Sequence, residues 1–183
     1  MIVAGIDTGM ATLGWARFDT DHRRFVGVGA LKTEKQSHKS KTDDQDDRID
    51  IVAEALHGVI RCSDIVVVER RSFGGGVSSI GPISMCFGAL LGIVTAMVPQ
   101  PPVYTVKPQT WQREIVTNAG KRVNYAAVER VVGGYIRRDA DACYQLDCIE
   151  PGLRNHAIDG GALALMGAFC LHKCRPIGGR IRA

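Results

Sequence analysis

The sequence predicts an α/β protein built on one mixed sheet, three antiparallel strands continued by parallel strands, with helices on both faces. Two observations carry that expectation. Short apolar runs at Ile2–Asp7 and Ile65–Glu69 read as buried strands, and each ends on a lone carboxylate. Three strand patterns in a row are then followed by alternating helix and strand patterns. Acids at the C-terminal ends of two buried strands are the usual way such a sheet builds a site for a hard cation.

Each element follows from its local pattern. Ile2–Asp7 is apolar until Gly5-Ile6-Asp7-Thr8-Gly9 breaks it off, with Gly14 just beyond. Gly14–Asp19 and Phe25–Leu31 read as strands joined by the polar turn Thr20-Asp21-His22-Arg23, and residues 32–42 as a solvated loop. Asp43–Arg61 follows a helical pattern, with Ile49, Val52, Ala53, Leu56, Val59 and Ile60 on one side. Its acids lie in the first turn, where the helix dipole favours them. Ile65–Glu69 is apolar on both faces, as a central parallel strand should be. A helix is expected from about Ile83 to Met97, where Gly88 and Gly92 mark a face open to close backbone approach. Val103–Val106 reads as a short strand. Lys107–Val116 and Lys121–Val132 read as two helices, the second closed by Gly133-Gly134. Residues 135–154 read as irregular, and a last helix is expected after an Asn155 N-cap, running to about Cys170.

The 183 residues suit one domain, expected over residues 1–174, with a basic tail over 175–183. Net charge is only +4, but it is unevenly spread. Residues 107–138 hold Lys107, Arg113, Lys121, Arg122, Arg130, Arg137 and Arg138 against Glu114 and Glu129, while acid concentrates in Asp43-Asp44-Gln45-Asp46-Asp47. A basic half beside isolated carboxylates suits a polyanionic substrate, although a merely solvated face gives the same composition. The six cysteines are irregularly placed, which suits reduced thiols and a protein that is not secreted. Cys143, Cys148, Cys170, His172 and Cys174 can be arranged as a zinc site, but their spacing matches no recognised finger. The uncharged stretch between Arg71 and Lys107 is interrupted by glycines and prolines, so a buried or dimer-forming helix is expected and no membrane span.

The strand order places Asp7 and Glu69 on neighbouring strands, and the last helix carries His156 and Asp159 on one face. Three carboxylates and an imidazole are a ligand set suited to Mg²⁺ or Mn²⁺. Each acid alone has a plainer role: Asp7 as a turn cap, Glu69 as a partner of Arg70 or Arg71, Asp159 as a first-turn helix acid. His156 alone is equally a capping or core histidine.

In order along the chain, Gly5-Ile6-Asp7-Thr8-Gly9 with Gly14, Val68-Glu69, Val106-Lys107 with Lys121, and His156-Ala157-Ile158-Asp159 with Ala162-Leu163-Ala164-Leu165 resemble the motifs of RuvC-type Holliday junction resolvases. That family belongs to the ribonuclease H-like superfamily. The resemblance runs from residue 2 to about residue 170. It implies a homodimeric endonuclease that resolves four-way junctions by paired symmetric cuts, using two Mg²⁺ or Mn²⁺ ions per site. It implies Asp7, Glu69, Asp159 and His156 as metal ligands and catalytic groups, with Lys121 stabilising the phosphate in the transition state. Lys107, Lys121 and Arg122, with Arg70 and Arg71, are expected at DNA phosphate, and Phe73 near the aromatic that enters the junction. Phe73 stands four residues past Glu69 where the bacterial pattern has three, and Gly160-Gly161 follows Asp159 where the pattern runs straight into Ala-Leu. These departures point to a divergent, phage or viral, member acting in the cytoplasm or nucleoid of a bacterial or phage-infected cell. Rival readings are a ribonuclease H-like nuclease for other branched DNA or RNA–DNA hybrid, a non-catalytic junction binder, and an actin-like phosphotransferase. The last needs a second lobe for which 183 residues leave no room.

Overall fold

The computed structural model describes residues 1–70, 77–116 and 125–177. Strands β1 (Ile2–Asp7), β2 (Thr12–Asp19) and β3 (Arg24–Lys32) form an antiparallel meander. Helix α1 (Lys41–Ile60) then crosses to β4 (Ile65–Glu69), which pairs parallel with β1, and α2 (Val77–Ala96) crosses to β5 (Val103–Val106), parallel to β4. The chain continues through α3 (Pro108–Ile115), α4 (Tyr125–Ile136), α5 (Ala140–Cys148) and α6 (Arg154–Phe169). It returns to the sheet as β6 (Arg175–Pro176), antiparallel to β5, at the start of the segment expected as a basic tail. The strand order is β3-β2-β1-β4-β5-β6.

Strand alternation assigns the two faces. Val3 and Val67 join a core with Trp111 of α3, Val128, Val132 and Ile136 of α4, Leu146 of α5 and the length of α6. Ala4, Ile6, Val66 and Val68 point the other way, onto Val52, Leu56 and Ile60 of α1 and Leu90 and Val94 of α2. This is the predicted α/β arrangement with helices on both faces. No helix among the described residues is long and apolar enough to cross a membrane.

Four local expectations change. Helix α2 begins at Val77 rather than Ile83 and takes Pro82 inside it. Pro82 is the sixth residue of the helix, past the first turn, so its missing N–H removes one intrahelical hydrogen bond there. Helix α4 runs through Gly133 and Gly134 to Ile136 instead of closing on them. Each glycine costs about 1 kcal/mol in a helix, but Val132 and Ile136 are wholly buried, and burying each contributes about 1.5–3 kcal/mol. Residues 140–148 form α5 rather than irregular chain; the Asp139 carboxylate accepts the Ala142 N–H at 3.0 Å, and Leu146 anchors the helix in the core. Helix α6 starts at Arg154, so Asn155 lies within it and is not its cap. A short 3-10 turn, Pro151–Leu153, feeds straight into the helix, and the Arg154 guanidinium donates to the carbonyls of Asp147 and Ile149.

Candidate active site

Helix α6 reaches the sheet at contact distances that only glycine allows. A Cβ on Gly5 would stand 2.1 Å from the Gly160 carbonyl oxygen, and one on Gly160 would stand 2.7 Å from the Trp15 Cα. A Cβ on Gly14 would stand 2.1 Å from the His156 carbonyl oxygen. Gly14 is the register partner of Asp7 across β1 and β2. The three glycines therefore let the first turns of α6 lie on the strands just where β1 ends. Gly160, which departs from the family pattern in sequence, is one of the residues that makes this approach possible.

Asp7 is only 3% exposed, and a carboxylate so buried requires compensating hydrogen bonds. His156 supplies one: its Nδ1 lies 2.8 Å from Asp7 Oδ2. An ionised carboxylate only accepts, so opposite ionised Asp7 the proton of this pair sits on Nδ1. Asp159, one turn along α6, shares a helix face with His156.

Glu69 follows the Ile6–Val68 register pair on β4 as Asp7 does on β1, so the two acids end adjacent parallel strands. Both continue the Val3 and Val67 face, the one α6 covers. The Trp111 indole N–H donates to Glu69 Oε2 at 3.0 Å. Trp111 is 1% exposed, so it packs in the core and also orients a candidate catalytic carboxylate. Nothing in the sequence announces that bond beyond the general need of a buried indole for an acceptor.

Tyr125 opens α4 at the same end of the sheet. It is 38% exposed rather than packed in the core, and its hydroxyl donates to the Asn155 carbonyl at 2.8 Å. Its phenol is pushed well above the usual tyrosine range, first by burial and then by the negative fields of Asp159, Glu129 and Asp7. Asp7 and Asp159 thus act on one neighbouring group.

Among the basic residues, Lys107 is exposed and follows β5, whose Val106 pairs with Glu69. Arg70 is exposed, and its N–H donates to the Val106 carbonyl at 2.7 Å. With Glu69 it borders a cavity of about 510 Å³ that Thr8, Thr105 and Arg175 also line. Arg71, Phe73, Lys121 and Arg122 lie outside the described residues. Asp7 and His156 are brought into contact, Glu69 beside them and Asp159 onto the same helix face. No three His, Cys, Asp or Glu side chains among the described residues gather closely enough to form a ready metal cluster.

No family model matches the sequence, and no curated protein matches it. The fold does have solved counterparts. A structure of T. thermophilus RuvC in complex with a Holliday junction substrate aligns at TM-score 0.68 and 21% identity, covering 97% of this chain and 99% of that one. A second Thermus thermophilus RuvC structure aligns at TM-score 0.69 and 21% identity, covering 97% and 100%. The chain therefore shares the fold of these RuvC structures.

Proposed function

We propose that this protein is a divalent-metal-dependent endonuclease that resolves four-way DNA junctions, acting as a homodimer. The observation that carries the reading is the Asp7–His156 pair at the end of β1, with Glu69 ending the adjacent strand, on a RuvC-like fold. The donor set fits in kind: three carboxylates are hard oxygen ligands of the sort Mg²⁺ and Mn²⁺ take, and an imidazole is tolerated by Mn²⁺. Asp7, Glu69, Asp159 and His156 would hold the metal. When bound, divalent ions supply Lewis acidity at the phosphoryl oxygens and a water of lowered pKa.

The chain's own groups account for the remaining work. Asp7 accepts the Nδ1 proton of His156 and orients the ring, which leaves the Nε2 lone pair as the one that would ligate a metal. Trp111 donates to Glu69 at the end of β4 and so orients its carboxylate. Lys107 and Arg70, both exposed at that end, would draw the DNA backbone to the acids. Arg71, Lys121, Arg122 and Phe73 keep the roles the motifs imply. The homodimer reading is supported by α2, where Gly88 and Gly92 are exposed and a Cβ at either would meet nothing within 4 Å. Those glycines serve no packing against the sheet, and they leave a flat helix face for a second copy.

One assay tests the reading. With Mg²⁺ or Mn²⁺, the protein should incise a synthetic four-way junction much faster than linear duplex, and Asp7→Asn should bind the junction without cutting it. Parental cleavage by Asp7→Asn would remove Asp7 from the mechanism. Faster cutting of RNA–DNA hybrid would move the protein to another ribonuclease H-like activity, and binding without any cutting would make it a junction binder.

A further inference from the structure

A second cleft lies just past the catalytic strand and on no element of the acid cluster. It has a volume of about 400 Å³ and is lined by the β1–β2 turn at Gly9 and Thr12 and by Lys35, Lys41, Asp44 and Arg48. Three cations against one carboxylate leave it net positive. The cation at its base is fixed in place. Arg48 Nε donates to Thr33 Oγ1 at 2.9 Å, and Nη1 lies 3.5 Å from Asp44 Oδ2. Thr33 in turn donates its hydroxyl to the Met10 carbonyl, which ties the guanidinium to the β1–β2 turn. The Asp44 carboxylate also accepts the Gln36 N–H at 2.6 Å, so its capacity is largely used within the protein. The Arg48 side chain is 14% exposed, so it is largely removed from water yet aimed into a concave space. A guanidinium held rigid and partly dry is a much better anion ligand than a mobile surface lysine. Lys35 and Lys41 are exposed at the rim, where they complete the field.

We propose that this cleft is a phosphodiester subsite, which seats one backbone phosphate of a DNA arm at the Asp7 end of the sheet. The turn that forms its wall begins two residues after Asp7, so the cleft lies at the same end of the sheet as the acid cluster, on the α1 side. The volume suits a phosphate with its sugar rather than a bare ion. This inference rests on the nuclease reading for the identity of its ligand.

Junction binding is measured by fluorescence anisotropy in EDTA, as a function of salt, for the parent, Lys35→Gln/Lys41→Gln and Arg23→Gln. Arg23 lies in the β2–β3 turn, at the opposite end of the sheet. The double variant should bind roughly ten-fold more weakly at about 0.1 M salt, with a log–log salt slope smaller by about 1, the value for one lost phosphate contact. Arg23→Gln should match the parent. Equal affinity and slope in parent and double variant would overturn the subsite. So would an inorganic-phosphate-dependent rise in Tm, lost in the double variant, with junction binding unchanged, since the cleft would then serve free phosphate. A parent that binds with the expected difference in slope but never cuts with Mg²⁺ or Mn²⁺ would keep the subsite and sink the nuclease. A parent that does not bind DNA would sink both.

Discussion

Trp111 is the residue whose substitution separates positioning from folding. Its indole N–H reaches Glu69 from a site with 1% exposure. Trp111→Phe keeps most of the apolar volume and removes the donor, so stability should fall by about 1–2 kcal/mol. Partners that orient a metal-binding carboxylate typically contribute about 10–100-fold to activity or metal affinity. Junction cleavage by Trp111→Phe should therefore drop by about that factor, with junction affinity in EDTA unchanged. Equal losses in binding and cleavage would assign Trp111 to the core alone. The acids themselves were legible because strand-end carboxylates stand out in an apolar run. The Trp111–Glu69 bond was not, since it joins residues from β4 and α3 whose proximity only the tertiary fold creates. The cysteines give a second prediction at this scale. Burial, with a smaller push from Cys170, raises the Cys174 thiol to about 11, so little thiolate forms there near neutrality, whereas Cys62 and Cys148 are exposed. Iodoacetamide at about pH 8, followed by mass mapping, should label Cys62 and Cys148 well before Cys174.

Helix α6 is the element on which the site depends, and its glycines make that testable. Gly160→Ala forces a Cβ to 2.7 Å from backbone of Trp15, which cannot move aside as a side-chain tip would. Overpacking of this kind costs about 1–3 kcal/mol, and each kcal/mol lowers Tm by roughly 2–4 °C in a chain of this size. Cleavage should fall further than stability, because any lift of α6 draws His156 from Asp7. Gly58→Ala on α1 is the contrast: with nothing within 4 Å of the new methyl, the higher helix propensity should raise stability by about 0.5–1 kcal/mol. A Gly160→Ala protein with parental Tm and cleavage would refute the close-contact account. The sequence located α6, though by an Asn155 cap that proves to lie inside it, and ten of its residues are buried. It missed α5, where short length and polar residues hide a helix held by one cap and one leucine. It ended α4 too early because glycine propensity was weighed without the burial that overrides it.

At the scale of the molecule, two depressed carboxylates join separate parts of the fold. Asp44 lies below its ordinary 3.8, chiefly through the Gln36 N–H and then Arg48, and it ties α1 to the loop before it. Asp139 is lowered chiefly by the Ala142 N–H, and its ion pair with Arg24 links α5 to β3. A folded-state value below the unfolded one stabilises the protein above the unfolded value and loses that contribution as pH falls through the folded one. Asp44→Asn/Asp139→Asn should therefore lower Tm at about pH 6, and the gap from the parent should narrow toward about pH 2.5. A gap constant with pH would mean that neither acid is held ionised by its partners. The architecture as a whole was legible because its central strands are apolar on both faces, the pattern of strands covered by helices on each side. The two-residue β6 was not, since no periodicity exists at that length and one of its residues is proline. That small strand carries a consequence of its own. It covers the outer side of β5 at Tyr104 and Thr105, while at the far edge the Gln145 amide oxygen takes the Val28 N–H at 2.9 Å. Each side of the sheet is thus covered at one or two positions that would otherwise template a neighbouring chain. Deleting residues 175–183 should leave Tyr104 and Thr105 sticky, and light scattering should then detect slow growth of strand-joined oligomers that the full-length protein resists.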